Sequence, residues 1–391
     1  MLERSKQKKR IKILFIGEIH SSHAQSWIDL LDEQEFDIRC VSIGEPISKE
    51  FPHPVYNVQR LGLNLANALC NVYLIGGAFR RLVEFNLSII IRRFKPDIIH
   101  TFGMEPGGRM YLDARSRYKL QNIGKWVLQL RGGSDLFFKR AIPTMASYLS
   151  DMASQADAIV TDNTLNFDYF SKMGAQLENT PRLIISGTGG MDIPAFHKKW
   201  QGQPSERSSI LWPKAYESPW SKGLPVLEAL IIAWPNIKPC TINMLMAVNE
   251  IPLWVNLLPE DMKASIKVRQ KVPRKEVLDM MGSSRVVLLP SLVDGVPNSM
   301  WEAMGCGAVP IVSPLATITP LVSEPENVYF ARNLYPDEIA EKIIVAMSDD
   351  QTVNTMAQSN LKLISEKSNR HENKKMLKVF YDDALLKEDT A

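Results

Sequence analysis

Apolar runs of strand length alternate with longer stretches of helical periodicity along most of the chain, and few folds tolerate that rhythm. Ile11–Ile16, Phe36–Ile43, Asp97–Phe102, Trp126–Leu130, Ala156–Thr161 and Arg182–Ser186 read as strands separated by helices. Their residues are apolar consecutively instead of alternately, which suits a parallel sheet covered by helices on both faces. The segment His197–Ser209 interrupts the pattern with polar and turn residues and reads as a linker. The rhythm then restarts at Ser209–Trp212, Cys240–Ala247, Ile266–Val272, Val286–Leu289 and Val309–Val312. Two doubly wound α/β domains are expected: residues 1–196 joined by a returning C-terminal helix at about 370–391, a linker at 197–208, and residues 209–369. Two such domains facing a central cleft would bind ligands at the carboxyl ends of their strands.

Composition removes several function classes. With 391 residues, 45% hydrophobic and 23% charged, the chain belongs with globular proteins. A formal net charge of +3 supplies no global field for nucleic acid. The local cluster Arg4, Lys6, Lys8, Lys9, Arg10 and Lys12 is either a solvated tail or an attractor of anionic lipid. Four scattered cysteines, Cys40, Cys70, Cys240 and Cys306, suit neither a disulfide framework nor paired zinc knuckles. The basic start runs straight into a β-like segment, so no signal peptide is expected and the location reads as cytoplasmic. Leu61–Phe79 is uncharged but diluted by Asn64, Asn67, Asn71 and three glycines, too polar to span a bilayer. Arg80, Arg81, Arg92, Arg93 and Lys95 after it leave open a peripheral contact with the inner face of an anionic membrane.

The chemistry concentrates where Val286–Leu289 runs into a turn and then a helix. Asp294 stands in the turn, while Asn298 and Ser299 open the helix that carries Glu302. A helix start reached through Gly295, Val296 and Pro297 aims backbone N–H groups at an anion, and fixed carboxylates suit sugar hydroxyls. After the first strand, Gly17 leads into His20 and His23 without a G-x-G-x-x-G, so a dinucleotide site there lacks support. Those histidines either serve an acceptor or hold the turn and cap the helix. Glu105, before Pro106, Gly107 and Gly108, is a further acceptor-side candidate.

The stretch from Asp294 to Met304, D-G-V-P-N-S-M-W-E-A-M, resembles the Glu-x7-Glu signature of the retaining GT-B glycosyltransferases of family 4. Lys95–His100, Arg131–Asp135, Ala156–Val160 and Gly189–Asp192 with Phe196 resemble further family segments in the expected order. The resemblance implies a nucleotide-sugar donor on the second domain and a glycan or lipid-linked acceptor on the first, in surface polysaccharide or lipopolysaccharide synthesis. It implies that Glu302 holds the ribose, that Asp294, one methylene shorter than the usual Glu, meets the donor sugar, and that the amides from Gly295 to Ser299 approach sugar and phosphates. Lys222, followed by Gly223, matches the family's lysine after the first strand of the second domain, and Lys214 replaces its arginine. Pro225 marks the helix whose dipole would assist them. Arg131 replaces a histidine and would add a fixed charge; Asp135 would orient that loop or accept a proton.

A departing diphosphate needs cations that tighten their grip as charge develops. No Asp-x-Asp occurs, so lysines are expected to do this without metal or cofactor. The same architecture also hosts nucleotide-sugar epimerases, and the exchanges at Arg131, Lys214 and Asp294 keep an inactive glycan-pathway scaffold in view.

Overall fold

The computed structural model describes residues 9–43, 51–57, 77–130, 132, 135–187, 189–248, 250–270 and 272–386. The chain divides into two compact units, Met1–Gly189 with Glu372–Ala391, and Gly190–His371. Arg131, Cys70, the basic residues before Lys9 and most of Leu61–Phe79 lie outside the described residues.

Among the described residues, the first unit is built on seven parallel strands: β1 (Ile11–Gly17), β2 (Phe36–Ser42), β3 (Val55–Asn57), β4 (Ile98–Phe102), β5 (Lys125–Gln129), β6 (Ala158–Thr161) and β7 (Arg182–Ile184), ordered β3-β2-β1-β4-β5-β6-β7. Successive residues of β1 feed opposite cores. Leu14 and Ile16 join Leu128, Trp126 and the helix Gly77–Phe94 on one face, whereas Ile13 and Phe15 join Trp27, Phe102 and Leu377 on the other. Both faces bury side chains, as consecutive apolar residues require. The strand order reverses between β1 and β4, and there the backbones meet closely. A Cβ on Gly107 would stand 2.7 Å from the Phe102 carbonyl oxygen and 2.9 Å from that of Ile16, so only glycine fits.

The second unit repeats the scheme with β8 (Ser209–Trp212), β9 (Thr241–Leu245), β10 (Ile266–Arg269), β11 (Val286–Leu289), β12 (Val309–Val312) and β13 (Tyr329–Phe330), ordered β10-β9-β8-β11-β12-β13. Ile210, Val286, Leu288 and Ile311 pack on one face, and Leu211, Val287, Leu289 and Val312 on the other. Both sheets are therefore doubly wound and Rossmann-like.

The segment expected as a linker is packed into the second unit. Trp200 Nε1 donates to Gly305 O (2.8 Å), and the buried Arg207 donates to Gly202 O, Ser284 O and Cys306 O. Burial lowers the Arg207 pKa to about 10; the three carbonyls offset only part of its desolvation, and its Nε has no partner among the described residues. The C-terminal helical stretch is two helices, Asp350–Lys367 and Arg370–Leu386. It breaks where Met191 N donates to Ser368 O (2.6 Å) and Arg370 N to Met191 O (3.1 Å).

The last helix returns to the first unit through Leu377, Phe380, Tyr381 and Ala384. The Tyr381 hydroxyl donates to His100 Nδ1 (2.8 Å) and accepts from Trp27 Nε1 (3.3 Å). His100 Nε2 then donates to Gln129 Oε1 (2.8 Å), so both ring nitrogens of the buried His100 and the Tyr381 hydroxyl are used. Burial lowers the His100 pKa to about 3, against a smaller opposing effect of the Gln129 bond. An unfolded histidine titrates near 6.5. Between those values the unfolded chain binds a proton that the folded chain refuses, so stability is full above about pH 6.5 and falls as the pH drops toward 3. Unfolding free energies from pH 7 to 4 are expected to fall more steeply for the wild type than for His100→Gln, by up to about 1.4 kcal/mol per pH unit. Equal slopes would show that the imidazole is not the titrating group.

Candidate active site

In the second unit the site grows from two adjacent strand ends. β11 is fully buried, and its chain turns through Pro290–Pro297 into the helix Asn298–Gly305. Val293 and Val296 are buried in that turn, while Asp294 Oδ1 accepts from Gly295 N (2.9 Å) and Thr317 Oγ1 donates to Asp294 O (3.1 Å). Pro297 occupies the N-cap and offers no side-chain acceptor to the first turn, which starts with Asn298 and Ser299. Met300, Trp301, Ala303 and Met304 fix the helix in the core. Glu302, the acid among them, is only 13% exposed, and its Oε1 accepts from Arg274 Nε (3.0 Å) and Nη2 (2.7 Å).

The loop after β8 is stitched to this turn. Ser221 Oγ donates to Pro290 O (3.0 Å), and Leu292 N donates to Trp220 O (2.7 Å). The buried amide of Asn333 accepts from Lys222 N (2.8 Å) and donates to Lys222 O (3.0 Å) and Pro290 O (3.2 Å). Lys222 is thereby fixed at the same sheet edge as Asp294. Gly223 begins the helix Leu224–Ile237; a Cβ there would lie 2.8 Å from Ile251 Cδ1 and 3.0 Å from Tyr216 O. Lys214 is exposed at the end of β8, and its side chain makes no ion pair among the described residues.

Three residues of this region carry no motif in the sequence. Arg274 and Asn333 are two. The third is Glu217, whose Oε1 accepts from Gly223 N (2.9 Å) and Leu224 N (2.7 Å), with Oε2 3.8 Å from Lys222 Nζ. The helix start whose dipole is expected to assist the lysines is thus held by the chain's own carboxylate. A Glu a few residues before a Lys-Gly pair at a helix start is the sequence signal that could have found it.

In the first unit the candidates stand at the carboxyl ends of β1, β4 and β5. Ser21, and neither histidine, caps the helix Ser22–Ile28 by accepting from Ala24 N (3.2 Å). His20 is half-buried with Nδ1 unpartnered among the described residues, and His23 is exposed on the first turn. Glu105 pairs with Arg109 Nη1 (2.9 Å) and Lys139 Nζ (2.8 Å). Burial works to raise its pKa, but the hydrogen bonds and charges of Lys139 and Arg109 prevail and hold it below the usual carboxylate value. Asp135 is buried and accepts from Met104 N (3.3 Å), tying down the Gly103–Gly108 turn. Both acids therefore organise the loop.

Among the described residues, no three His, Cys, Asp or Glu side chains cluster as metal ligands, and no helix is long and apolar enough to cross a membrane. Cys40, Cys240 and Cys306 are free and buried, the Cys306 thiol pushed up to about 12 chiefly by burial.

Residues 12–163 match the family model described as "Glycosyl transferase 4-like", and residues 216–349 the model described as "Glycosyl transferases group 1". No curated protein matches the chain. Among solved structures, sucrose-phosphate synthase of Thermosynechococcus elongatus is similar with a TM-score of 0.71 at 12% identity, over 96% of this chain and 99% of that one. A glycosyltransferase of Rickettsia africae gives 0.69 at 12% identity, over 97% and 100% of the two chains. HepE of Anabaena in complex with UDP gives 0.68 at 13% identity, over 96% and 100%. Those likenesses show the fold, and with the two matched domain models they make this chain a glycosyltransferase of the GT-B type.

Proposed function

We propose that the chain is a retaining hexosyltransferase that moves a sugar from a nucleoside-diphosphate donor to a hydroxyl of a glycan or lipid-linked acceptor, without a metal, in surface polysaccharide or lipopolysaccharide synthesis. The observation that carries this reading is the stitching of the Lys222 loop to the Asp294 turn through Asn333, with Glu302 on the helix that follows. That geometry collects a cation, a helix start and two carboxylates at one sheet edge. The similar Anabaena structures contain UDP, UDP with glucose, or UDP-glucose, which supports a nucleotide-sugar donor.

In this reading Glu302 accepts hydroxyls of the ribose and Asp294 those of the sugar. The backbone of the helix start at Asn298 and Ser299 approaches sugar and phosphate oxygens, the Gly295 amide being held by Asp294 Oδ1, and Gly223 lets the other helix start come close. Lys222, assisted by Lys214 and on the acceptor side by Arg131, stabilises the diphosphate as the glycosidic bond breaks. Retention follows if the acceptor oxygen enters on the face the phosphate leaves, with the departing phosphate oxygen taking the acceptor proton. No separate base is then required. His20, whose Nδ1 is unpartnered among the described residues, and the exposed His23 beside it are the acceptor-side candidates, while Glu105 and Asp135 are engaged in the neighbouring loop. Arg81, Arg92, Arg93 and Lys95 are exposed on or just after the helix Gly77–Phe94 and supply the charge for a peripheral contact with anionic lipid.

A thermal-shift panel of UDP-, GDP- and ADP-sugars is expected to identify one stabilising donor, whose transfer product keeps the donor's anomeric configuration by NMR. An inverted product rejects retention, and sugar conversion without acceptor identifies an epimerase. Lys222→Ala is expected to lower kcat by about 100-fold while changing donor affinity far less. A pure affinity defect would instead make Lys222 a uniform binding group. Activity is expected to persist in excess chelator; loss reversed by magnesium or manganese rejects the metal-free mechanism.

A further inference from the structure

The contact between Arg274 and Glu302 is lopsided. Nε and Nη2 of the guanidinium both donate to Oε1, at 3.0 and 2.7 Å, and Oε2 has no partner among the described residues. A fork-to-fork pair would occupy both oxygens. Here one oxygen is held twice and the other remains an open acceptor on a carboxylate that cannot rotate freely.

Stability alone is a poor reason for this pair. Arg274 is 53% exposed, and ion pairs with so open a partner contribute about 0–1 kcal/mol. It also opens the helix Arg274–Ser283 directly after the N-cap Pro273, where the helix dipole opposes a cation. What the contact does provide is orientation, because the surrounding Met300, Trp301, Ala303 and Met304 fix the backbone of Glu302 but not its carboxylate.

We infer that Arg274 is a positioning residue for nucleotide recognition: it turns Glu302 so that Oε2 meets the ribose diol, and so sets the preference for ribonucleoside over 2′-deoxyribonucleoside diphosphates. This rests on the reading of Glu302 as the ribose acceptor. Arg274 acts through Glu302 and touches no reacting atom.

The test is calorimetric binding of UDP, ADP and GDP, each beside its 2′-deoxy counterpart, to the full-length wild type, Arg274→Ala and Arg274→Lys. The wild type is expected to favour the ribo form of its nucleotide by about tenfold, the size of one charge-assisted hydrogen bond. In Arg274→Ala that ratio is expected to shrink to about twofold through loss of ribo affinity, with the deoxy affinity and melting temperature unchanged; Arg274→Lys recovers part of it. A ratio kept at the wild-type value in Arg274→Ala overturns the inference alone. Equal loss of ribo and deoxy affinity overturns it too, since Arg274 would then be serving the phosphates or the fold. A wild type that binds a diphosphate without discriminating ribose removes the role of Glu302, and one that binds none removes the donor reading as well.

Discussion

One buried amide holds the site edge of the second unit together. β8 and β11 lie side by side where the strand order reverses, so the loops leaving them must be tied by something other than sheet hydrogen bonds. Asn333, arriving from beyond β13, satisfies both backbone groups of Lys222 and the carbonyl of Pro290. Buried groups left unpaired would cost about 1–3 kcal/mol each, so the clamp is either complete or expensive. Because it is complete, a lysine, an acidic turn and a helix start share one rigid edge.

The sequence displays what depends on neighbours and conceals what depends on distance. Central strands such as Ile11–Gly17 and Val286–Leu289 are legible because both faces are buried and the apolar run is unbroken. The edge strands Val55–Asn57 and Tyr329–Phe330 are not, being too short to carry a pattern. Residues 197–208 look like a tether because their composition is polar, yet Trp200 finds a carbonyl 105 positions away and Arg207 one 77 positions away in the same unit. The Asp294–Glu302 stretch is readable since strand, turn and helix follow in order. Arg274 meets Glu302 across 28 positions and Asn333 meets Lys222 across 111, and no local spacing announces either.

Pairing also sorts the acids of the first unit. A general base should titrate near the working pH. Glu105, flanked by Arg109 and Lys139, is held below even the ordinary carboxylate value, and is a weaker base than a free glutamate. Asp135 uses its carboxylate on the Met104 amide. Each keeps the Gly103–Gly108 turn in shape beside β1, where Gly107 admits no side chain. What the structure shows of these acids is their hold on the shape of the turn.

Glu217 gives the donor reading a thermodynamic step of its own. Without ligand, its carboxylate supplies the anion that the Leu224–Ile237 helix start and Lys222 attract. At 3.8 Å, two unit charges would interact by roughly 4 kcal/mol at an effective dielectric of 20. Lys222 is 42% exposed, so solvent reduces the net to about 1 kcal/mol or less. A diphosphate brings more charge and more acceptor oxygens than one carboxylate, and Glu217, itself 28% exposed, returns to water at little cost. Under the proposed function the exchange therefore favours the donor, while in its absence the lysine and the helix amides stay paired instead of waiting unsatisfied.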